Sequence, residues 1–99
     1  MTSRRFEALI GLALRTRSAA LGRHACRRAA ERRTLHALVV ARDAGASAVR
    51  DGGVPEDVPQ VRVDLDKRQL GMLVGRTELA LLGITEPHLA AGLIESVAE

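Results

Sequence analysis

Hydrophobic positions along the 99-residue chain follow two different spacings. Apolar residues three and four positions apart predict helices, which we place at 3–15, 23–33, 46–50, 67–74 and 86–97. Continuous or alternating apolar runs predict strands, which we place at 18–22, 36–42, 60–65 and 78–84. Helices and strands alternate without a linker or repeat. We therefore predict an α/β fold and one domain over residues 1–99, a three-layer α/β/α sandwich with one mixed four-stranded sheet.

Residues with special backbone or capping preferences mark several ends of these elements. Gly22 fits a turn with unusual backbone angles before the second helix. Asp66 fits an N-cap, and Gln69 three residues later completes a capping box. Gly75 is placed to end that helix as its C′ residue. Thr85 is the expected cap of the last helix.

Charge is distributed unevenly along the chain. The overall formal charge is +3, but residues 1–33 contain nine arginines and two glutamates, a net charge of +7. The remaining residues contain six basic and ten acidic side chains, a net charge of −4. Such an asymmetry favours an anionic partner for the first third of the chain. A solvated helix face that binds nothing is the alternative.

Residues that could support catalysis are few. The three histidines, His24, His36 and His88, are scattered without the spacing of metal ligands. Neither a nucleophile elbow nor a phosphate-binding glycine loop is present. The single cysteine, Cys26, lies on the apolar arc of the second helix and is expected to be a buried structural thiol. We therefore expect no enzyme, no cofactor and no metal site.

Several other classes of protein are also excluded or disfavoured. Phe6 is the only aromatic residue and belongs to the core stripe of the first helix, which excludes a sheet that stacks bases on aromatic rings. No apolar run approaches the roughly 20 residues of a membrane helix. The basic and then apolar N-terminal segment is interpreted as a helix rather than a signal peptide, because Arg15 and Arg17 follow it directly. We expect a cytoplasmic protein.

The second helix is the best candidate for a binding site. Gly22 precedes it, and Arg23, Arg27 and Arg28 lie in its first turns. The backbone N–H groups and the dipole at a helix start favour phosphate, and arginines extend such a site outward.

Several motifs resemble one family. "LIGLALRTRSAALG" and "GRHACRRAAERRTLHALVVARDA" are similar to the opening helix, strand and glycine-led helix of the archaeal L-seven-Ae and eukaryotic L-thirty-e ribosomal proteins. "VPQVRV" and "QLGMLVGRTELALLGIT" resemble the third strand and the final loop and strand of that family. The short bacterial YlxQ-like members resemble the chain most, and the likeness extends from Phe6 to Val97.

The resemblance implies an α/β/α sandwich that binds structured RNA, commonly kink-turns or related internal loops. It places RNA contacts in three regions, 22–28, 43–46 and 75–79. The candidate RNA-binding residues are Gly22, Arg23, His24, Arg27, Arg28, Asp43, Ala44, Arg76 and Thr77.

Two positions depart from the family pattern. Kink-turn binders of the family have Asn and then Glu shortly after the glycine, where this chain has His24 and Ala25. Arg28 replaces a lysine that usually contacts the RNA, which suits phosphate although the geometry differs. Phosphate contacts position a protein on RNA, whereas base contacts give specificity. The sequence thus retains the positioning charges and lacks much of the base-reading apparatus.

Two hypotheses follow from the sequence. The first is a non-enzymatic, cytoplasmic, ribosomal-protein-like RNA-binding protein that acts on or around ribosomal RNA or a kink-turn-like loop, as part of a ribonucleoprotein. The second is a protein-interaction module that has kept the fold without specific RNA recognition. The arginine face could equally bind an acidic protein surface.

Overall fold

The computed structural model describes residues 3–45 and 54–98. Within these ranges the chain forms four helices and four strands, which are α1 Arg4–Arg15, β1 Ala19–Leu21, α2 Arg23–Glu31, β2 Ala37–Val40, β3 Gln60–Arg62, α3 Lys67–Leu73, β4 Leu81–Ile84 and α4 Pro87–Ala98. Each was predicted at its place in the sequence. The weak helix predicted at 46–50 lies outside the described residues.

The four strands form one mixed sheet in the order β1-β4-β2-β3. Strand β4 runs antiparallel to both β1 and β2, with Leu21 opposite Leu82 and Val40 opposite Leu81. Strand β3 runs parallel to β2 at the edge. The prediction of a mixed four-stranded sheet is confirmed, with 36–42 and 78–84 supplying its central strands.

Helices cover the sheet and complete an α/β sandwich, as predicted. Helix α2 packs on β1 and β4, while α4 packs on β2 and β4 and also holds α1. The α2 interface is close because its residues are small. A Cβ added at Gly83 would lie 3.1 Å from the Cys26 sulfur and 2.6 Å from the Leu35 side chain. On α1, Phe6, Ile10 and Ala13 are buried in the core, as their spacing predicted.

The strands are shorter than the apolar runs that predicted them. Leu79 and Val63 are buried, yet both lie outside the regular strands. The Val63 N–H makes the last bond of the β2–β3 ladder, to the Val40 carbonyl, whereas the Leu79 N–H donates to the Lys67 carbonyl of α3. An apolar run therefore marks burial here, while ladder pairing stops earlier.

The predicted helix ends are confirmed for α3. The Asp66 carboxylate accepts from the Gln69 N–H at 2.8 Å, and the Gln69 side chain accepts from the Asp66 N–H, which completes the capping box. Gly75 has φ +76° directly after the helix. Helix α2 ends two residues before the predicted Arg33, because Arg33 has left-handed backbone (φ 60°) that cannot continue a helix.

The predicted cap of the last helix was wrong. The Glu86 carboxylate, rather than Thr85, accepts from the Leu89 N–H at 2.7 Å. Thr85 instead extends the sheet, because its N–H donates to the Ser18 carbonyl at 2.8 Å. A threonine that follows a strand directly is still engaged in strand pairing, so the next acidic residue takes the capping position.

In the part of the chain that the structure describes, no helix combines the length and the apolar character needed to cross a bilayer.

Candidate functional site

Three loop regions meet at one end of the sheet. Because β1 and β2 are both antiparallel to β4, their C-terminal ends lie beside the start of β4. The Gly22 N–H donates to the Leu81 carbonyl at 3.0 Å, and the Ala41 N–H donates to the Ala80 carbonyl at 2.9 Å. The start of α2, the loop after β2 and the loop before β4 are therefore neighbours. These are the three regions that the resemblance implied.

Gly22 and Arg76 lie side by side at this end. The backbone at Gly22 has φ +90°, a conformation that glycine adopts at little cost and other residues rarely adopt. A Cβ added at Gly22 would lie 3.9 Å from an Arg76 guanidinium nitrogen. The structure therefore places the Arg76 guanidinium, in addition to the arginines of α2, next to the glycine that precedes this helix.

Helix α2 begins without a side-chain cap. In each of the other three described helices a first-turn N–H donates to a capping side chain, which is that of Ser3, Asp66 or Glu86. Gly22 has no side chain to do this, and the first turn of α2 contains no acidic residue. Within the cap position and first turn of α2, the positive end of the helix dipole is therefore not compensated by a side-chain cap or an acid.

The side chains of the first turns divide as the helical periodicity predicted. His24, Arg23, Arg27 and Arg28 are exposed, whereas Ala25 is half-buried against the core. Ala25, at the position of a base-reading glutamate in the resembled family, therefore leans toward the protein interior. Three of the four exposed side chains in these first turns are arginines.

The loop before β4 is held firmly on α3. The Arg76 N–H donates to the Gly71 carbonyl at 2.8 Å, and the Leu79 N–H donates to the Lys67 carbonyl at 2.9 Å. The first of these bonds, with φ +76° at Gly75, forms a Schellman ending of the helix. The loop 75–79 is thereby ordered by backbone bonds at both of its ends.

Gly71 allows the close approach of this loop to α3. A Cβ at Gly71 would lie 2.8 Å from the Arg76 carbonyl oxygen and 3.0 Å from the Glu78 backbone. With the backbone seated in this way, the side chains of Arg76, Thr77 and Glu78 are exposed. The loop presents one cation and one hydroxyl, together with an acid that would oppose phosphate.

The loop after β2 has a structural role. The Asp43 carboxylate accepts from the Lys67 N–H at 2.9 Å and so supports the start of α3. The Ala44 side chain is only 8% exposed and belongs to the core. The predicted contacts of Asp43 and Ala44 with RNA remain predictions, and for Ala44 they are limited to the backbone.

Arg62 was not among the predicted site residues, although it organises this loop. One of its guanidinium nitrogens donates to the Ala41 and Arg42 carbonyls at 3.1 Å each and to the Ala44 carbonyl at 3.4 Å. The alternation of β3 indicated only an outward-facing arginine. Its partners lie about 20 residues away in sequence, so no local pattern could have identified them.

Arg42 is engaged with acidic side chains. It forms a 2.8 Å ion pair with Asp64, and its guanidinium lies 4.0 Å from the Asp66 carboxylate. The hydrogen bond from Arg42 lowers the pKa of Asp64 below its ordinary value. Both groups are exposed, so the pair contributes little to stability, but it reduces the positive field that Arg42 presents.

Cys26 is a buried structural thiol, as predicted. Burial raises its pKa to about 11, against a smaller lowering by a hydrogen bond from the Gly83 backbone. The thiol donates weakly to the Ala20 carbonyl, with 3.5 Å between sulfur and oxygen. It is therefore protonated at neutral pH and is a poor nucleophile.

The three histidines do not form a common site. All three are exposed, and Nδ1 of His88 lies 3.0 Å from a carboxylate oxygen of Glu86, within hydrogen-bond distance. Within residues 3–45 and 54–98, no group of three or more His, Cys, Asp or Glu side chains is placed to hold a metal ion.

Comparison with known proteins shows likeness in structure. No protein-family model matches the chain, and no curated protein sequence matches it significantly. A protein of unknown function from Bacillus halodurans superposes with a TM-score of 0.84 and 21% identity, over 98% of this chain and 100% of that one. The 15.5 kD RNA-binding protein of Giardia lamblia superposes with a TM-score of 0.65 and 18% identity, over 95% of this chain and 82% of that one. At these identities the likeness shows a shared fold.

Proposed function

We propose that this chain is a non-enzymatic protein that binds structured RNA in the cytoplasm. The observation that carries the proposal is the convergence at one end of the sheet. There the uncapped, glycine-led start of α2 lies beside the guanidinium of Arg76. Exposed arginines from the next turn of α2 enlarge the same surface. Backbone N–H groups and guanidinium groups together form a site for the phosphates of a polyanion.

The shared fold supports RNA as the polyanion. The Giardia lamblia protein, which has the same fold over most of this chain, is an RNA-binding protein. The net charge of +7 on residues 1–33, which include β1 and α2, favours the same class of partner. Arg23, Arg27 and Arg28 would neutralise phosphates, Arg76 would contact the RNA from the neighbouring loop, and Gly22 would permit close backbone approach.

The proposal also extends to the class of RNA target. We propose ribosomal RNA or a kink-turn-like internal loop, by the resemblance of the motifs to ribosomal RNA-binding proteins. Because Ala25 leans inward and cannot read a base through its side chain, recognition would depend on RNA shape and phosphate positions more than on base edges. Of the two positions that depart from the family pattern, His24 is the one whose exposed side chain can contact a base.

A charge-reversal variant tests this surface. Arg28→Glu combined with Arg76→Glu changes two exposed side chains on separate elements. We expect the variant to bind total cellular RNA at least about a hundredfold more weakly in a filter-binding titration, since each of the two lost charge-assisted contacts costs about 1.5–3 kcal/mol. The wild type should show a steep salt dependence, with a log–log slope of roughly 0.7–0.9 per phosphate neutralised.

The matched control is Arg4→Glu combined with Arg33→Glu. It makes the same charge change at two exposed positions away from the convergence. Equal loss of affinity in both double variants would show that only the overall charge matters. Binding by Arg28→Glu/Arg76→Glu that equals the wild type would exclude the proposed surface.

A protein-interaction module is the second candidate. The observation that favours it is Met72 on α3, whose side chain is 77% exposed although it is large and apolar. An acidic partner that bound α2 and contacted Met72 would use charge and an apolar surface together. If the wild type bound RNA weakly and Arg28→Glu/Arg76→Glu bound it equally weakly, this candidate would replace RNA binding.

A further inference from the structure

A basic groove lies along the flank of α2 that faces edge strand β1. Its volume is about 360 Å³, and its rim includes Arg17, from the turn after α1, and Arg28 and Arg32 from α2. The side chains of all three arginines are exposed to solvent. This groove was not indicated by the sequence, because Arg17 and Arg32 lie on different elements and meet only in the folded protein.

The groove has a floor that leaves room for a backbone. Ala19 on β1 and Ala25 and Ala29 on α2 form part of the floor, and their side chains are too short to obstruct it. Among the residues that the structure describes, no acidic side chain lines the groove. In the described ranges, no carboxylate is within ion-pair distance of Arg17, Arg28 or Arg32. The groove therefore presents three arginines that have no ion-pair partner among the described residues, over a narrow floor of alanines.

Arg28 joins the groove to the surface around Gly22. It lies in the second turn of α2, and Arg32 follows one turn later, about 6 Å further along the helix axis. From Gly22 to Arg32 the cationic path is about 15 Å long. The hydroxyl-bearing residues Thr34 and Thr85 also line the groove. The Thr85 N–H donates to the Ser18 carbonyl, just before β1 and at the end of that strand away from Gly22. The Gly22 surface and the groove can thus contact one continuous strand of a nucleic acid.

We propose that this groove binds the sugar–phosphate backbone of an RNA segment that continues from the Gly22 surface, with Arg17 and Arg32 each contacting a phosphate. The proposal rests on the proposed RNA-binding function and extends its contact surface to the edge of the sheet. The groove offers cations and hydroxyls but no base-sized aromatic platform, so it adds affinity and orientation without sequence preference.

The test keeps Arg28 and removes the other two charges. Arg17→Gln combined with Arg32→Gln is titrated against total cellular RNA by filter binding at several salt concentrations. Loss of two phosphate contacts should reduce the magnitude of the log–log salt slope by roughly 1.4–1.8, twice the value per phosphate. Replacement of the same residues by Lys should restore most of the slope, because a phosphate contact needs the charge more than the guanidinium shape.

The control is Arg4→Gln combined with Arg33→Gln. Arg33 has φ 60° and Arg17 has φ 58°, so the two double variants are matched in charge and each changes one left-handed residue. Thermal unfolding midpoints verify that each variant is folded. An unchanged slope in Arg17→Gln/Arg32→Gln, or an equal reduction in the control, would overturn the groove while the Gly22 surface stands. A wild type that binds no RNA would overturn both proposals.

Discussion

At the scale of single residues, Cys26 shows how the fold sets chemistry. The residue is fully buried between α2 and the sheet, and burial raises its pKa from 9.0 to about 11. The chain has no tyrosine, and its one lysine is Lys67. Few side chains besides Cys26 therefore belong to residue types that ordinarily titrate between about pH 9 and 11. With this composition, the titration of the Cys26 thiol can be detected as a change in the free energy of unfolding at alkaline pH.

We predict that the free energy of unfolding falls as the pH rises from about 9 to about 11. The folded state keeps the Cys26 proton in this window while the unfolded chain releases it, so the unfolded state is favoured as pH rises. The expected loss is roughly 2–3 kcal/mol, at about 1.4 kcal/mol per pKa unit. Urea unfolding at a series of pH values measures it.

Cys26→Ala is the control for this pH dependence. It lowers stability at all pH values because it leaves a small cavity, but it should remove most of the loss between pH 9 and 11. An equally steep loss in Cys26→Ala would assign the alkaline effect to another group.

Residue-level prediction from sequence succeeded where one helix carries the information. The exposed arginines of α2 and the buried Cys26 both follow from a single helical period. It did not succeed for Arg62, whose carbonyl partners lie on another segment. It also did not indicate that Asp43 supports α3, because that bond joins residues 24 positions apart. Side-chain partners distant in sequence require the fold.

At the scale of elements, the contact between α3 and the loop 75–79 shapes the candidate site. Gly71 permits that contact, and the backbone bonds from Arg76 and Leu79 to α3 hold the loop in place. The exposed position of Arg76 beside Gly22 therefore depends on a glycine on the neighbouring helix.

We predict that Gly71→Ala destabilises the fold by about 1–3 kcal/mol, because its Cβ would displace backbone atoms of the loop. The matched control is Gly11→Ala in α1, where the added Cβ would meet only an Arg15 side-chain nitrogen at 3.6 Å. That change should leave stability the same or raise it by up to about 1 kcal/mol, from helix propensity. Chemical unfolding measures both variants, and equal effects would contradict the close packing.

The ends of helices and strands show which boundaries the amino-acid sequence predicts and which it does not. Helix ends with a defined cap, such as Asp66 and Gly75, were predicted correctly because the signal is local. The cap of the last helix was misplaced from Glu86 to Thr85, because the pairing of Thr85 with Ser18 is decided across strands. Strand ends were overestimated for the same reason, since buried residues such as Leu79 continue beyond the ladder.

At the scale of the whole molecule, the sheet topology places the arginine-rich first third of the chain next to a cationic loop from the last third. The antiparallel pairing of β4 with β1 and β2 brings the start of α2 next to the loop before β4. The alternating pattern predicted the sandwich, and the resemblance implied which loops would meet. The groove beside β1 was predicted by neither, because Arg17 lies beside α2 only in the folded protein.

The most direct test of an RNA-binding surface at this end of the sheet is hydrogen–deuterium exchange, measured by mass spectrometry with and without saturating total cellular RNA. We predict that RNA slows exchange in peptides that cover 22–28 and 75–79, and leaves peptides from α4 unchanged. Slower exchange confined to α4 or to the N-terminal half of α1, with none in 22–28 and 75–79, would contradict the account.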